Sequence, residues 1–280
     1  MKITTAKLQE YKKINRKIAS LTAYDYSSAK LFDEAGIDAI LIGDSVGQVI
    51  LGYDSTTKVS MDEMKIFTSA VARGVKNALV IADMPFLSYQ TSISEAIKNA
   101  GELIKSGADA VKLEGISAHT LEVVKRCTQS GIPVCGHLGF TPQFIGTIGG
   151  HFVIGKDFEM TLELLKQAKE LENAGAFAIV LEMVPMESAK FISKNLKIPT
   201  IGIGAGVGCD GQILVSEDIL GKFRDFCPKF ARKYANLAQT ITDSAKHYIE
   251  DVKNGNFPRI EESFTLKEEE KLKLESYQNN

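Results

Sequence analysis

A single-domain α/β chain folded as a (β/α)₈ TIM barrel is what this sequence predicts, and three observations predict it. The 280 residues are 44% hydrophobic and 24% charged, enough to bury one large core without a second domain. A small residue followed by glycine repeatedly closes a helical stretch and leads into a short apolar run. Strand and helix then alternate with one repeat length, which points to parallel pairing, and about eight such units close a barrel rather than leave an open sheet.

The units can be taken in chain order. Seven apolar runs open or carry them: "IASLTAYD" from Ile18, "EAGIDAILIGDS" from Glu34, "NALVIADMPF" from Asn77, "KSGADAVKLEG" from Lys105, "QSGIPVCGHLG" from Gln129, "NAGAFAIVLEMVP" from Asn173 and "KIPTIGIGAG" from Lys197. In four of them a glycine stands where a helix ends in the left-handed conformation, so the pattern reads as helix stop, tight turn, buried strand. An eighth strand, short and followed by charges, is expected near "GQILVSEDIL" from Gly211. The barrel domain should span 1–260. The remainder, 261–280, is dense in Glu and Lys and reads as a charged C-terminal extension, a solvated helix or a disordered segment.

Charge and composition exclude several classes. A formal charge of −2 with dispersed lysines gives no basic footprint, so no nucleic-acid partner is expected. The first 25 residues lack the apolar core and cleavage site of a signal peptide, and no run approaches a membrane span, so the expected location is cytoplasmic with no membrane partner. Cys127, Cys135, Cys209 and Cys227 form no CxxC pair and are expected to be reduced thiols. "GIGAGVG" at 202–208 has spacings resembling a dinucleotide turn, but it follows a late strand and no acidic residue follows at the required distance. Close backbone approach at the barrel rim is the preferred reading.

In such a barrel the carboxyl ends of the strands form the active-site face. Read in order they supply Asp25, Asp44 and Ser45, Asp83, Lys112 and Glu114, His137, Glu182, and the glycines of 202–206. Asp44, Asp83 and Glu114 come from three successive strands and could converge on Mg²⁺, whose hard oxygen ligands they match. Lys112 offers a fixed cation for a substrate carboxylate or oxyanion. Glu182, across the barrel, is free for proton transfer. Each has a plainer reading: Asp44 and Asp83 as helix N-caps, Lys112 with Glu114 as a structural ion pair, His137 as a satisfied structural residue. Capping, however, does not require every successive strand to contribute.

The stretches "LTAYDYSSAKLFDEAGID", "LIGDSVGQVILGYDSTTKVSMDEM", "ADMPFLSY", "AVKLEG", "IPVCGHLGFTPQ", "VLEMVP", "IPTIGIGAG", "CDGQILV" and "PKFARKYANL" together resemble the ketopantoate (3-methyl-2-oxobutanoate) hydroxymethyltransferase family over about residues 3 to 260. The resemblance implies metal ligands at Asp44, Asp83 and Glu114, and oxoacid contacts at Asp44, Ser45, Asp83 and Lys112. It also implies a glutamate proton acceptor at Glu182 and a histidine near the substrate at His137. It implies transfer of a hydroxymethyl group from 5,10-methylenetetrahydrofolate to 3-methyl-2-oxobutanoate through a Mg²⁺-stabilised enolate, giving 2-dehydropantoate for pantothenate synthesis, in a homo-oligomer that is a decamer. Whether Glu182 acts at C3 or on the folate nitrogen stays open. Apolar neighbours Val180, Leu181, Met183 and Val184, if packed around Glu182, would weaken its acidity. Ile154 departs from the family, which commonly carries Gln there, and that puts one polar loop contact in doubt. The rival readings are a related Mg²⁺-dependent oxoacid lyase or phosphoenolpyruvate mutase-like barrel, and a barrel that only binds oxoacids.

Overall fold

The computed structural model describes residues 2–225 and 227–278. Eight parallel strands, β1 (Ile18–Thr22), β2 (Ala39–Ile42), β3 (Leu79–Asp83), β4 (Ala110–Lys112), β5 (Val134–Gly139), β6 (Ala178–Glu182), β7 (Thr200–Ile203) and β8 (Gly211–Leu214), close in chain order. The predicted barrel, including the short eighth strand, is what forms. The helices are α1 (Thr5–Lys13), α2 (Tyr26–Glu34), α3 (Val46–Val49), α4 (Met61–Gly74), α5 (Ile93–Lys105), α6 (Ala118–Gln129), α7 (Ile145–Ile148), α8 (Phe158–Ala174), α9 (Met186–Lys194), α10 (Ser216–Ile219), α11 (Leu237–Lys253) and α12 (Glu268–Gln278).

Strand alternation sorts the core into two layers. Leu41, Leu79, Ile81, Ala110, Cys135, Val180, Ile201 and Ile213 fill the barrel interior, which Leu8 and Tyr11 of α1 also enter. Their sequence neighbours Ile40, Val80, Val111, Val134, Ile179 and Leu181 face the helices. Lys112 and Glu114 are in phase with Ala110, His137 with Cys135, and Glu182 with Val180, so the same period carries them to the barrel mouth. Beneath Lys112 the interior leaves a cavity of only about 20 Å³, so access to the site is from the carboxyl ends of the strands.

The opposite face is tied together by carboxylates. Asp33 accepts main-chain N–H bonds from Lys76, Asn77 and Ala78 at 3.0, 2.9 and 2.7 Å. Asp109 does the same for Val80 and Asp210 for Thr200. Burial works against the Asp33 anion, but these donors hold its carboxyl below its usual range; bonds to a charged group contribute about 1.5–3 kcal/mol each. These acidic residues, Asp33 in the last turn of α2 and Asp109 and Asp210 just before β4 and β8, therefore read as stability, not chemistry.

The βα alternation fails at one place. Between β7 and β8 runs 204–210, with Gly204, Gly206 and Gly208, too short and glycine-rich for a helix. A pyrophosphate site needs a helix start after the glycine turn, and none follows here. Gly206 takes φ +73° and a Cβ there would lie 2.4 Å from the Met186 side chain, so close approach accounts for it. The four-residue α10 after β8 does not cover the outer face of β8 and β1, where Ala19 and Gln212 are exposed. The expected extension contains the exposed helix α12; its last two residues lie outside the described residues. Among the described residues no helix is long and apolar enough to cross a membrane.

Candidate active site

The expected strand-end residues assemble into one buried polar cluster, with the exception of Asp25. Asp25 caps α2, accepting from the Ser28 N–H at 2.8 Å. Asp44 and Asp83 do not cap helices: Ser45 holds the N-cap position of α3 without a side-chain bond, and α5 is capped by Ser92. Asp83 instead ties two strands together. Its Oδ2 accepts the Asp44 N–H at 3.1 Å and its Oδ1 accepts from Lys112 Nζ at 2.7 Å.

Lys112 therefore pairs first with Asp83. The Glu114 carboxylate stands 3.8 Å away, so the expected pair with Glu114 is the weaker of the two. The cause is register: Asp83 and Lys112 are opposite on β3 and β4, about 4.8 Å apart strand to strand, whereas i and i+2 on one strand are separated by about 6.6 Å. Burial would lower the Lys112 ammonium, but the charges of Asp83, Glu114 and Asp44 outweigh it and hold the group cationic.

Glu114 is held from both sides. Its Oε1 faces His137 Nδ1 at 3.1 Å and its Oε2 accepts the Gln143 N–H at 2.9 Å. Burial opposes the Glu114 anion, but His137 and Lys112 overcome it and lower its carboxyl. For His137, burial opposes the cation, the Glu114 charge prevails, and the imidazole is raised to about 9. That shift favours the imidazolium, and a buried Nε2 without a hydrogen-bond partner does not fit the plainer reading of His137 as a satisfied structural residue. Its Nε2 lies 3.3 Å from Glu182 Oε2 without the alignment of a hydrogen bond, and that buried nitrogen has no other partner.

Glu182 closes the series at the end of β6. Its side chain is 15% exposed, against 1% for Glu114, so it is the carboxylate of the chain that opens most to the mouth. Leu181 and Val184 belong to the outer layer, so they do not pack around it as expected; His137 is the neighbour that faces it. Met183 takes φ 49° directly after it, a left-handed conformation that for a non-glycine residue concentrates at functional sites. The Met183 carbonyl accepts the Ile154 N–H at 3.0 Å, and the Ile154 side chain packs against the outer core. Main chain and apolar contact thus hold that loop at Ile154.

Ser45 is held at the rim by the Tyr24 hydroxyl, 2.7 Å from its Oγ. Gly43 makes room, since a Cβ there would stand 2.6 Å from Ser45 Oγ. Tyr24, Tyr89 and Gln143 were not among the expected site residues. They come from turns and loops beyond the strands, where no period announces them.

The charges do not balance. Asp44, Asp83, Glu114 and Glu182 face Lys112 and His137, and those cations sit against Asp83, Glu114 and Glu182. Asp44 keeps a bond from the Gln143 amide, at 2.9 Å. Burial first, then the Asp83 and Glu114 charges, push its carboxyl well above the usual range. Among the described residues no group of three or more His, Cys, Asp or Glu side chains closes a metal cage by itself. Mg²⁺ does not need one: it keeps several waters and uses one or two carboxylates with substrate oxygens. Hard oxygen donors in excess of the cations beside them, two of them pushed toward the neutral acid by burial, fit that ion.

The profile of the ketopantoate hydroxymethyltransferase family matches residues 2–260. The 3-methyl-2-oxobutanoate hydroxymethyltransferase of Acetivibrio thermocellus is 53% identical over 266 residues, covering 95% of this chain and 94% of that one. Its Enterococcus faecalis counterpart is 52% identical over 98% of this chain and all of that one. Among solved structures, a phosphonopyruvate hydrolase complex with oxalate and Mg²⁺ superposes with TM-score 0.60 at 13% identity, over 99% of this chain and 96% of that one. A 2,3-dimethylmalate lyase gives 0.59 at 15%, over 99% of both chains. At those identities the structures speak for the barrel alone.

Proposed function

Because the chain belongs to the ketopantoate hydroxymethyltransferase family, we propose that its reaction is carried by the polar series running across β2 to β6, with 5,10-methylenetetrahydrofolate as the one-carbon donor. The enzyme is a hydroxymethyltransferase that converts 3-methyl-2-oxobutanoate to 2-dehydropantoate. The observation that carries the mechanism is the unbroken series Asp44, Asp83, Lys112, Glu114, His137, Glu182, buried and anion-rich at one end and opening to the mouth at the half-buried Glu182.

Asp44, Asp83 and Glu114 would hold Mg²⁺. When bound, the ion supplies electron withdrawal from the keto carbonyl, which makes the C3 hydrogen removable. Lys112, already fixed by Asp83, meets the oxoacid's negative charge, and Ser45, oriented by Tyr24, donates to its carboxylate. Glu182 handles the proton. In one assignment it takes the C3 hydrogen, whose bonding pair becomes the nucleophile that joins the folate methylene carbon; in the other it serves the folate nitrogen. Both C–N bonds of the methylene bridge break, water supplies the hydroxyl, and the proton from C3 and the second hydrogen of water end on the two nitrogens of the departing tetrahydrofolate. His137, held by Glu114, keeps a positive edge toward Glu182 and orients its carboxylate.

The test is turnover of 3-methyl-2-oxobutanoate with methylenetetrahydrofolate and Mg²⁺. Loss on omitting folate or adding EDTA is expected. Carbon–carbon cleavage of an oxoacid without folate would instead establish the lyase-like reading.

We also infer a homo-oligomer, which the family resemblance makes a decamer. None of the 17 residues of α11 is buried, and Ile241, Tyr248, Ile249 and Val252 are 46–58% exposed along it. That is an apolar stripe on a helix too long to be left bare. The uncovered outer face of β1 and β8 is the kind of surface such a helix from a second copy would cover. Ile249→Asp should shift the enzyme to a smaller species in analytical ultracentrifugation. An unchanged sedimentation coefficient would reject this assignment of α11.

A further inference from the structure

Gln143 bridges two carboxylates that arrive from different strands. Its side chain is buried, 3% exposed, and all its polar atoms are engaged. One Nε2 hydrogen goes to Asp44 Oδ2 at 2.9 Å and the other to the Met84 carbonyl at 3.0 Å. Its Oε1 accepts from the Tyr89 hydroxyl at 2.9 Å. Its main-chain N–H donates to Glu114 Oε2 at 2.9 Å.

The orientation of the amide is fixed by these partners. Turned over, it would set its oxygen against a carboxylate and a carbonyl, three acceptors with no hydrogen between them. Tyr89 locks the correct face. Its hydroxyl accepts the Glu114 N–H at 3.1 Å and gives its single hydrogen to Gln143 at the shorter of two distances, 2.9 Å against 3.2 Å to the Glu114 carbonyl. Tyr89 itself is fully buried. A closed network of this kind is costly to leave half-satisfied.

We propose that Gln143, locked by Tyr89, is the positioning residue of the divalent-cation site: it fixes one oxygen of Asp44 so that the other is presented to the ion, and holds Glu114 in step through its main chain. The proposal rests on the assignment of these carboxylates to a metal. It explains how Asp44, which lies past the end of β2 and out of strand phase, keeps a defined direction while Lys112 is committed to Asp83. Outer partners of metal-bound carboxylates typically change affinity by ~10- to 100-fold.

The test uses Mn²⁺ alone, its binding followed by electron paramagnetic resonance, with Mg²⁺ as competitor and no substrate. Gln143→Met keeps the length and removes the amide. The expected result is Mn²⁺ affinity weaker by ~10- to 100-fold in a folded protein. Tyr89→Phe, which keeps the ring and leaves both Nε2 bonds in place, should weaken it by a smaller factor in the same direction. Mn²⁺ affinity within twofold of the parent in both variants would overturn the role of Gln143 while leaving the metal site standing. Should Gln143→Met fail to fold, Tyr89→Phe decides alone. Absence of Mn²⁺ binding in the parent enzyme is a different outcome, and it would remove the metal assignment itself.

Discussion

Lys112→Met should lower turnover by ~10²-fold or more and lower the melting temperature of the metal-free enzyme, and Mg²⁺ should restore much of the stability but not the turnover. Methionine keeps most of the apolar stem, so the change is electrostatic. It leaves Asp83 and Glu114 buried without their ammonium, 2.7 and 3.8 Å from where it stood. Removing one partner of a buried pair costs about 3–5 kcal/mol, and at roughly 2–4 °C per kcal/mol for a chain of this size the melting point should drop by about 10 °C. The usual test for a functional lysine, activity lost with stability intact, therefore does not apply here. Metal rescue replaces it: with the monovalent cation gone, a divalent one gains more from the three carboxylates than it does in the parent. Turnover remains lower by ~10²-fold or more, the scale of losing a fixed donor to developing negative charge. Equal Mg²⁺ stabilisation of variant and parent would show that Asp44, Asp83 and Glu114 are not the cation site.

Much of the site was legible because a barrel converts strand phase into position. Lys112, Glu114, His137 and Glu182 continue the inward-facing positions of their own strands, so reading the strand ends was enough to gather them at one mouth. Asp44 was found for the same reason although its phase is broken: β2 ends at Ile42, and direction is restored by a partner, not by the strand. That partner was not legible. Gln143 stands 99 residues from Asp44, in a loop whose return to the barrel no local pattern encodes. Tyr89 and Tyr24 are similarly placed after strands, where hydrophobic period has nothing to say.

Pairing choices were harder to read than membership. The sequence brings Lys112 and Glu114 within two residues, and their plainer reading as an ion pair followed from that proximity; the pair is present at 3.8 Å. Sheet register adds the tighter one with Asp83, because the neighbouring strand is nearer than the next same-face residue. The missing helix between β7 and β8 has a similar origin. A repeat predicts a helix wherever a strand ends, while the seven glycine-rich residues of 204–210 leave no room for one. The bare outer face of β8 and β1 has a like origin in the four-residue α10 that follows β8.

Glu182→Gln separates metal chemistry from proton transfer. Glutamine preserves size and hydrogen-bonding capacity at the end of β6 but cannot accept a proton. Among the described residues Glu182 shares no hydrogen bond or ion pair with Asp44, Asp83 or Lys112; its charged neighbour is His137, at 3.3 Å from Nε2, and His137 is held by Glu114 at 3.1 Å. Mn²⁺ and oxoacid binding should therefore remain near the parent's, while turnover falls by the ~10²- to 10⁴-fold of a lost general base. His137 is a poorer replacement base, because the Glu114 carboxylate at 3.1 Å from its Nδ1 raises the imidazole and favours its protonated form. The site of action is read from the oxoacid alone, incubated in deuterium oxide with Mg²⁺ and no folate and followed by NMR. If Glu182 is the C3 base, hydrogen exchange at C3 disappears in the variant. If it serves the folate nitrogen, exchange continues at the parent's rate while transfer stays blocked. Undiminished turnover would take Glu182 out of the mechanism, and with the imidazolium of His137 favoured the proton would then leave C3 directly to solvent or to a carboxylate nearer the metal.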